Sequence, residues 1–332
     1  MHASTRLAAP AFAPPRRPAL PRLPMRFLAI WLALGVLIAI CAIGLPRSVA
    51  PTTIQTVLPF VAFLAIAAMG QALVLMGRGI DLSVPGIVSL ASAVLLGVSN
   101  GSDDRLWLAI LAALAAAVCV GLVNGLLVAV LRLNALIVTL ATGAIVGGIT
   151  LWYRQGLAAE AKVPETLATF AGQRAFGLPI SVWFALGLAV LLTVGLRKTV
   201  AGRRFEAVGA NPRAAHASGI RTMRYQAAAF VLASLLYGVL AILLSGFIRN
   251  PTLEVGNPYL LAPIAAAVLG GTAISGGIGS MIAVLGASLF VMQLDQASKM
   301  MGLATSWQLI VQGAAIAAGM WLSEAASRSG RR

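Results

Sequence analysis

The chain has 332 residues, of which 60% are hydrophobic and 10% charged, and a formal net charge of +15; its mean hydropathy is +0.94. A soluble domain carries about 25% charged residues, so water cannot solvate this composition, and the basic excess, spread over tails and loops, reads as a topology signal and not as a nucleic-acid surface. Apolar runs of about 20 residues suit helices that cross a hydrocarbon core of about 30 Å. The short alternating segments of a barrel are absent, so the expected fold is an all-α polytopic membrane protein.

In chain order, residues 1–25 are rich in Pro, Arg and Ala and hold no acid. No clear small-residue cleavage motif follows the apolar run Phe27–Leu45, so this stretch reads as a disordered basic cytoplasmic tail before an uncleaved first span. About ten transmembrane helices are expected, near 27–45, 54–77, 83–99, 106–130, 135–153, 178–196, 226–248, 259–273, 280–296 and 303–322. They form a membrane domain over 26–323, with a central loop at 197–225 and a short tail at 324–332. With both termini cytoplasmic, 17 of the 24 basic residues fall inside and five of the nine acids (Asp103, Asp104, Glu160, Glu165 and Glu254) fall outside. That bias agrees with the positive-inside rule.

Polar groups inside apolar spans are the candidates for a translocation pathway, because an ionised or hydrogen-bonding side chain in hydrocarbon needs a partner or water. Asp81 and Ser83 follow Arg78 in a segment crowded by Gly77, Gly79, Pro85 and Gly86. Two readings stand: a cytoplasmic turn held by an Arg78–Asp81 pair at helical spacing, or a discontinuous helix lining the pathway. Asn124, Thr139, Thr142, Gln293, Asp295 and Tyr259 extend the set, with Asp295 and Lys299 spaced for an i,i+4 pair. Gly125, Gly143, Gly147 and Gly148 read as helix-packing glycines. Cys41 and Cys119 sit in apolar spans with no pairing pattern and read as structural thiols.

Several chemistries lack their residues. No G-x-x-x-x-G-K-[ST] loop is present to cradle ATP phosphates. The histidines are His2 and His216 alone, which gives no metal-ligand spacing, and no Ser/His/Asp set suggests a hydrolase. A catalytic residue, a metal or a resident cofactor is therefore not expected, and transport is the default.

The central loop contains Gly202-Arg203-Arg204-Phe205-Glu206-Ala207-Val208-Gly209-Ala210-Asn211-Pro212-Arg213-Ala214-Ala215-His216-Ala217-Ser218-Gly219-Ile220. Asn211 suits an N-cap, Pro212 the first helical position and Gly219 the left-handed residue that ends a helix. A short surface helix follows, either as a docking element or as an ordinary connector. Its pattern resembles the coupling loop of the ribose-type permeases of ATP-binding-cassette importers. Three more segments resemble that family in the same order: Gly79–Val84; Asn124–Ala129 with Leu136–Thr142; and Leu269–Thr272 with Gly276–Ser280.

The resemblance covers about residues 55 to 322 and implies a partnership. Two membrane subunits would work with two ATP-binding subunits, which hold the ATP and Mg, and with a periplasmic binding protein that delivers a sugar. Arg203, Asn211, Pro212, Ala214, Ala215, Ser218 and Gly219 would couple to the ATPase. Membrane lipid would be the surroundings, and no nucleic acid is implied. Where many relatives read Y-E-L-D-A-I-A-A, this chain has Tyr259-Leu260-Leu261-Ala262-Pro263-Ile264-Ala265-Ala266. The two missing acids leave room for a paralogous permease, rather than a second copy, as the partner. A branched-chain amino acid or nucleoside importer shares this architecture, while a gradient-driven secondary transporter would need more acids in its spans.

Overall fold

The computed structural model describes residues 25–157 and 161–304, with 306, 307, 310, 313, 314 and 317 beyond them. The basic tail, the final tail and most of the tenth expected span lie outside the described residues. The path runs α1 (Met25–Gly44), α2 (Pro51–Met76), α3 (Val84–Ser99), α4 (Leu106–Gly125), α5 (Ala135–Gln155), α6 (Glu165–Gly172), α7 (Ile180–Lys198), α8 (Val200–Ala210), α9 (Pro212–Ala217), α10 (Thr222–Ile248), α11 (Ala262–Leu269) and α12 (Met281–Met300). A two-stranded antiparallel hairpin, β1 (Arg174–Ala175) and β2 (Leu178–Pro179), was not foreseen. Its turn places Phe176 and Gly177 at positive φ, the geometry that two-residue hairpin loops favour.

Among the described residues, seven helices are long and apolar enough to span: α1, α2, α4, α5, α7, α10 and α12. The stretches expected to span at 83–99 and 259–273 hold shorter helices, α3 with 16 residues and α11 with 8. At 1.5 Å per residue these reach about 24 and 12 Å, short of a ~30 Å core. Irregular chain leads into each. Residues 77–83 turn back alongside α2 as far as Gln71. From the other end, residues 249–257 descend until the Gly256 amide donates to Ser89 Oγ at 3.2 Å. Gly256 rests directly on the Pro85 carbonyl, where a side chain would not fit. The two broken spans thus begin beside each other inside the bundle. Such non-helical backbone is tolerated at membrane depth when protein buries it.

α2 and α10 form the centre: 83% of the α2 spanning window is buried, against 17% for α1. α1, α4, α5 and α7 turn Ile40, Trp107, Leu111, Ile137, Trp152 and Leu191 outward, a surface suited to lipid. Lipid is as apolar as leucine, so the helices are held by close packing and polar contacts. α4 meets α10 through small residues, with Gly121 against Ser234 and the Phe230 carbonyl, and Gly125 against Ala227. At the α3–α5 crossing Gly86 faces the Gly143 carbonyl. Gly147 and Gly148 are a correction: both are exposed, and a Cβ on either would meet nothing within 4 Å.

The connections sort onto two ends. At one end Arg249 pairs with Glu165 at 3.4 Å, Arg154 donates to the Pro251 carbonyl at 3.0 Å, and Asp103 accepts from the Thr166 amide at 2.9 Å. Residues 77–79, 132, 209–224 and 276–277 gather at the other end. Asp295 and Lys299 form the expected pair at 2.5 Å, and Gln293 Nε2 lies 3.4 Å from Ser48 Oγ. Cys41 is buried, Cys119 is exposed, and both are free thiols.

Candidate functional site

The expected surface helix is present as α9. Asn211 Oδ1 accepts from the Ala214 amide at 3.1 Å, satisfying one of the donors that every helix start leaves open. At the other end Gly219 has φ +80, its N–H bonds the His216 carbonyl and the Ile220 N–H bonds the Ala215 carbonyl. That pair of bonds is a Schellman motif. Ser218 Oγ adds a bond to the Ala214 carbonyl at 3.0 Å. Of the candidate coupling residues, Arg203, Asn211, Ala214, Ser218 and Gly219 are exposed, Pro212 is half-buried and Ala215 is buried against the protein.

Behind α9 lies a clasp that no single motif revealed. α2 also ends in a Schellman motif, with Arg78 N–H to the Leu75 carbonyl and Gly79 N–H to the Val74 carbonyl. The left-handed residue here is Arg78, at φ +70, where glycine is the usual choice. Its side chain accounts for the exception. Arg78 Nε donates to the Gly209 carbonyl at 2.7 Å and Nη2 to the Ala210 carbonyl at 2.9 Å. These are last-turn carbonyls of α8, which lack intrahelical partners and attract a cation. The expected Arg78–Asp81 pair is therefore not formed, because the turn at Gly77–Gly79 is not helical and points the guanidinium at α8.

A third segment closes the clasp. The Gly277 amide donates to the Met76 carbonyl at 2.9 Å, capping α2. Gly276 and Gly277 both have positive φ, and any side chain on Gly209, Gly276 or Gly277 would collide with backbone. Three motifs far apart in sequence thus meet at one point, each glycine serving close approach. Glu206, on α8, is partly buried; burial raises its carboxyl above the usual glutamate range, while Arg197 pulls in the opposite direction.

The turn after Arg78 leads into a buried polar network. Asp81 Oδ1 accepts from the Ser83 amide at 2.8 Å and from Ser83 Oγ at 2.5 Å. Asn124 Nδ2 donates to Ser83 Oγ at 2.9 Å, and Thr142 Oγ1 donates to Asn124 Oδ1 at 2.7 Å. Thr139 Oγ1 accepts from the Leu82 amide at 2.9 Å and lies 2.8 Å from the Ala135 carbonyl. Five candidates, Asp81, Ser83, Asn124, Thr139 and Thr142, are so joined, while Tyr259 stands apart beside α11. All six are buried, Thr142 being the most exposed at 8%.

Gln71 is the residue sequence reasoning missed. Its amide, oriented by its partners, donates to the Asp81 carbonyl at 3.1 Å and accepts from the Asp81 amide at 3.2 Å. Tyr237 Oη lies 3.3 Å from the same amide. Gln71 is the sole polar side chain between Val57 and Met76, which is the signal that marks it. The Asp81 turn is thereby bolted to α2, α4 and α5 at once. Asp81 thus pairs with a site five residues up α2 from its end, about 7 Å inward, so the chain turns back into the bundle before α3 begins.

Beside this network runs a groove of about 290 Å³. Gly86, Gly143 and Gly147 floor it, and Ser89, Thr150, Glu254 and Asn257 give it polar walls. Among the described residues no cluster of three or more His, Cys, Asp or Glu is placed to hold a metal ion.

Broken spans, a polar network at their start and a clasped surface helix define a membrane transport subunit. Residues 53–319 match the family described as branched-chain amino acid transport system / permease component, and the chain belongs to this permease family. It is 33% identical to the ribose import permease protein of Bacillus subtilis, over 88% of this chain and 91% of that one. It is 31% identical to the ribose import permease protein of Escherichia coli K12, over 86% and 89%. To the autoinducer 2 import system permease protein of Salmonella paratyphi B it is 33% identical, over 79% and 75%. No solved structure matches the chain.

Proposed function

We propose that the chain is the membrane-spanning subunit of an ATP-binding-cassette importer, multi-pass in the bacterial inner membrane, that passes a small sugar or related polyol delivered by a periplasmic binding protein. Ribose and autoinducer 2, named for its relatives, support that solute class. The chain makes no covalent bond to its solute and is not an enzyme; ATP and Mg belong to the partner ATPase. A second permease, copy or paralogue, completes the pathway.

The observation that carries this reading is the clasp. Arg78 joins the end of α8, one residue before α9, to the turn that leads to Asp81. A push on α9 from a closing ATPase would therefore reach Asp81, Ser83, Asn124, Thr139 and Thr142 through hydrogen bonds and backbone packing. Coupling of this kind needs an element whose arrangements both sites bias, and the 77–83 turn is that element. The groove floored by Gly86, Gly143 and Gly147 and ending toward Tyr259 is the course we assign to the solute.

The remaining layout follows: ten crossings counting the two broken ones, both termini cytoplasmic, a tail over 1–25, the membrane domain over 26–323 with its coupling loop at 197–225, and a tail over 324–332. Proteoliposomes with the cognate ATPase and binding protein provide the test. Pentose uptake should require ATP and persist when ionophores dissipate every gradient. Uptake driven by a cation gradient without ATP would assign the chain to the secondary transporters instead.

A further inference from the structure

We propose that the cleft between α9 and the ends of α4 and α10 is a binding site for the phosphodiester headgroup of an anionic phospholipid. The inference rests on the cytoplasmic orientation given above, and its test does not depend on transport.

The cleft holds about 670 Å³ and is lined by Arg132, Arg213, His216, Arg221 and Arg224, with no carboxylate in its wall. Among the described residues none of its four guanidiniums pairs with an acid or donates a hydrogen bond within the chain. Arg78, Arg154 and Arg174, in contrast, are spent on carbonyls and an amide. Like charges converge here at a cost in mutual repulsion that nothing inside the chain offsets. A guanidinium fork matches phosphate oxygens in pairs, so the unmet donors describe the missing ligand as a phosphate ester.

Position and surroundings point to lipid as its source. Arg132 comes two residues after the end of the Asp103–Val130 span, and Thr222, which also lines the cleft, begins the Thr222–Ile248 span. The cleft therefore opens at headgroup depth. Arg132 has φ +58 and is preceded by a π-turn, Leu126–Val130, in which the Leu131 amide reaches the Leu126 carbonyl. This bend places exposed Val130, Leu131 and Leu133 beside Arg132, and Met223 is exposed beside Arg224. Basic groups at the interface with apolar residues flanking them suit a headgroup above and acyl chains alongside. Basic pockets between spans on the cytoplasmic side bind anionic headgroups for this reason.

A lipid seated there would touch α9 and the first turn of α10 together, so it would also set the resting position of α9. The competing occupant is an acidic surface of the ATPase. Native mass spectrometry of the full chain, purified without the ATPase and offered phosphatidylglycerol or phosphatidylcholine, separates the two. Wild type should retain phosphatidylglycerol selectively. Arg132→Gln with Arg224→Gln leaves α9 intact and should weaken retention about 30-fold, each arginine contributing about fivefold. Arg197→Gln with Arg204→Gln removes equal charge from the same end and should leave retention unchanged. A thermal midpoint in lipid-free detergent equal to wild type would show that the cleft variant is folded. Equal loss in both pairs, unchanged retention in the cleft pair, or competition by soluble glycerol phosphate as effective as the lipid would each overturn the proposal. So would retained lipid together with lost ATPase binding in the cleft pair, which would give the cleft to the ATPase.

Discussion

Replacing Arg78 by glycine separates the clasp from the fold of the turn that carries it. Arg78 holds two carbonyls of α8, at 2.7 and 2.9 Å. A hydrogen bond from a charged group contributes about 1.5–3 kcal/mol when shielded, but Arg78 is exposed, and water competes, so about 1–2 kcal/mol for the pair is the fair figure. Against this, a side chain at φ +70 costs about 1 kcal/mol, which glycine recovers. The Arg78→Gly protein should therefore unfold in detergent within about 1 kcal/mol of wild type. Its coupling loses the full 1–2 kcal/mol, about 5- to 30-fold in uptake per ATP hydrolysed. Arg78→Lys keeps the charge but not the two-pronged geometry and should fall between them. The assay is paired measurement of solute accumulation and phosphate release in proteoliposomes. Wild-type stoichiometry in Arg78→Gly would refute the clasp as the link between α9 and the Asp81 turn.

Asn124→Ala removes both a donor to Ser83 and an acceptor for Thr142, and should cost about 2 kcal/mol, read as a lowered thermal midpoint. Gly147→Leu has open space for its first atom and should leave stability unchanged while cutting uptake sharply, because its side chain fills the groove; unchanged uptake would remove the groove from the pathway. Glu206→Gln tests the pH dependence. Its folded carboxyl titrates above the unfolded value, so ionised Glu206 costs stability at neutral pH, and that cost disappears below the unfolded value. The variant should melt slightly higher than wild type at pH 7 and equal to it near pH 4, where the side chain is protonated in both states.

The surface helix was legible because its signals are local: Asn211, Pro212 and Gly219 each act within a turn of where they stand. The candidate polar residues were legible one by one, but their convergence was not, since Ser83 and Asn124 are 41 positions apart and Leu82 and Thr139 are 57 apart. An Arg78–Asp81 pair rests on helical spacing alone, and the glycines on either side of Arg78 remove the helix that spacing assumes. The spans at 83–99 and 259–273 have the composition of membrane helices throughout. Only three-dimensional pairing, Gln71 with Asp81 and Ser89 with Gly256, discloses that irregular chain folds back into the bundle ahead of each helix. Gly147 and Gly148 share the small-residue pattern of Gly121 and Gly125, and only the direction each faces tells a packed glycine from an open one.

The most direct measurement exchanges residues 211–219 for a flexible linker of the same length and follows ATP-dependent uptake with the cognate ATPase and binding protein. α9 and its caps then disappear while the spans and the Arg78 clasp on α8 remain. The expected result is a protein present in the membrane at normal level with uptake abolished. Normal ATP-dependent uptake in that variant would contradict the assignment of α9 as the element through which a partner ATPase drives this permease.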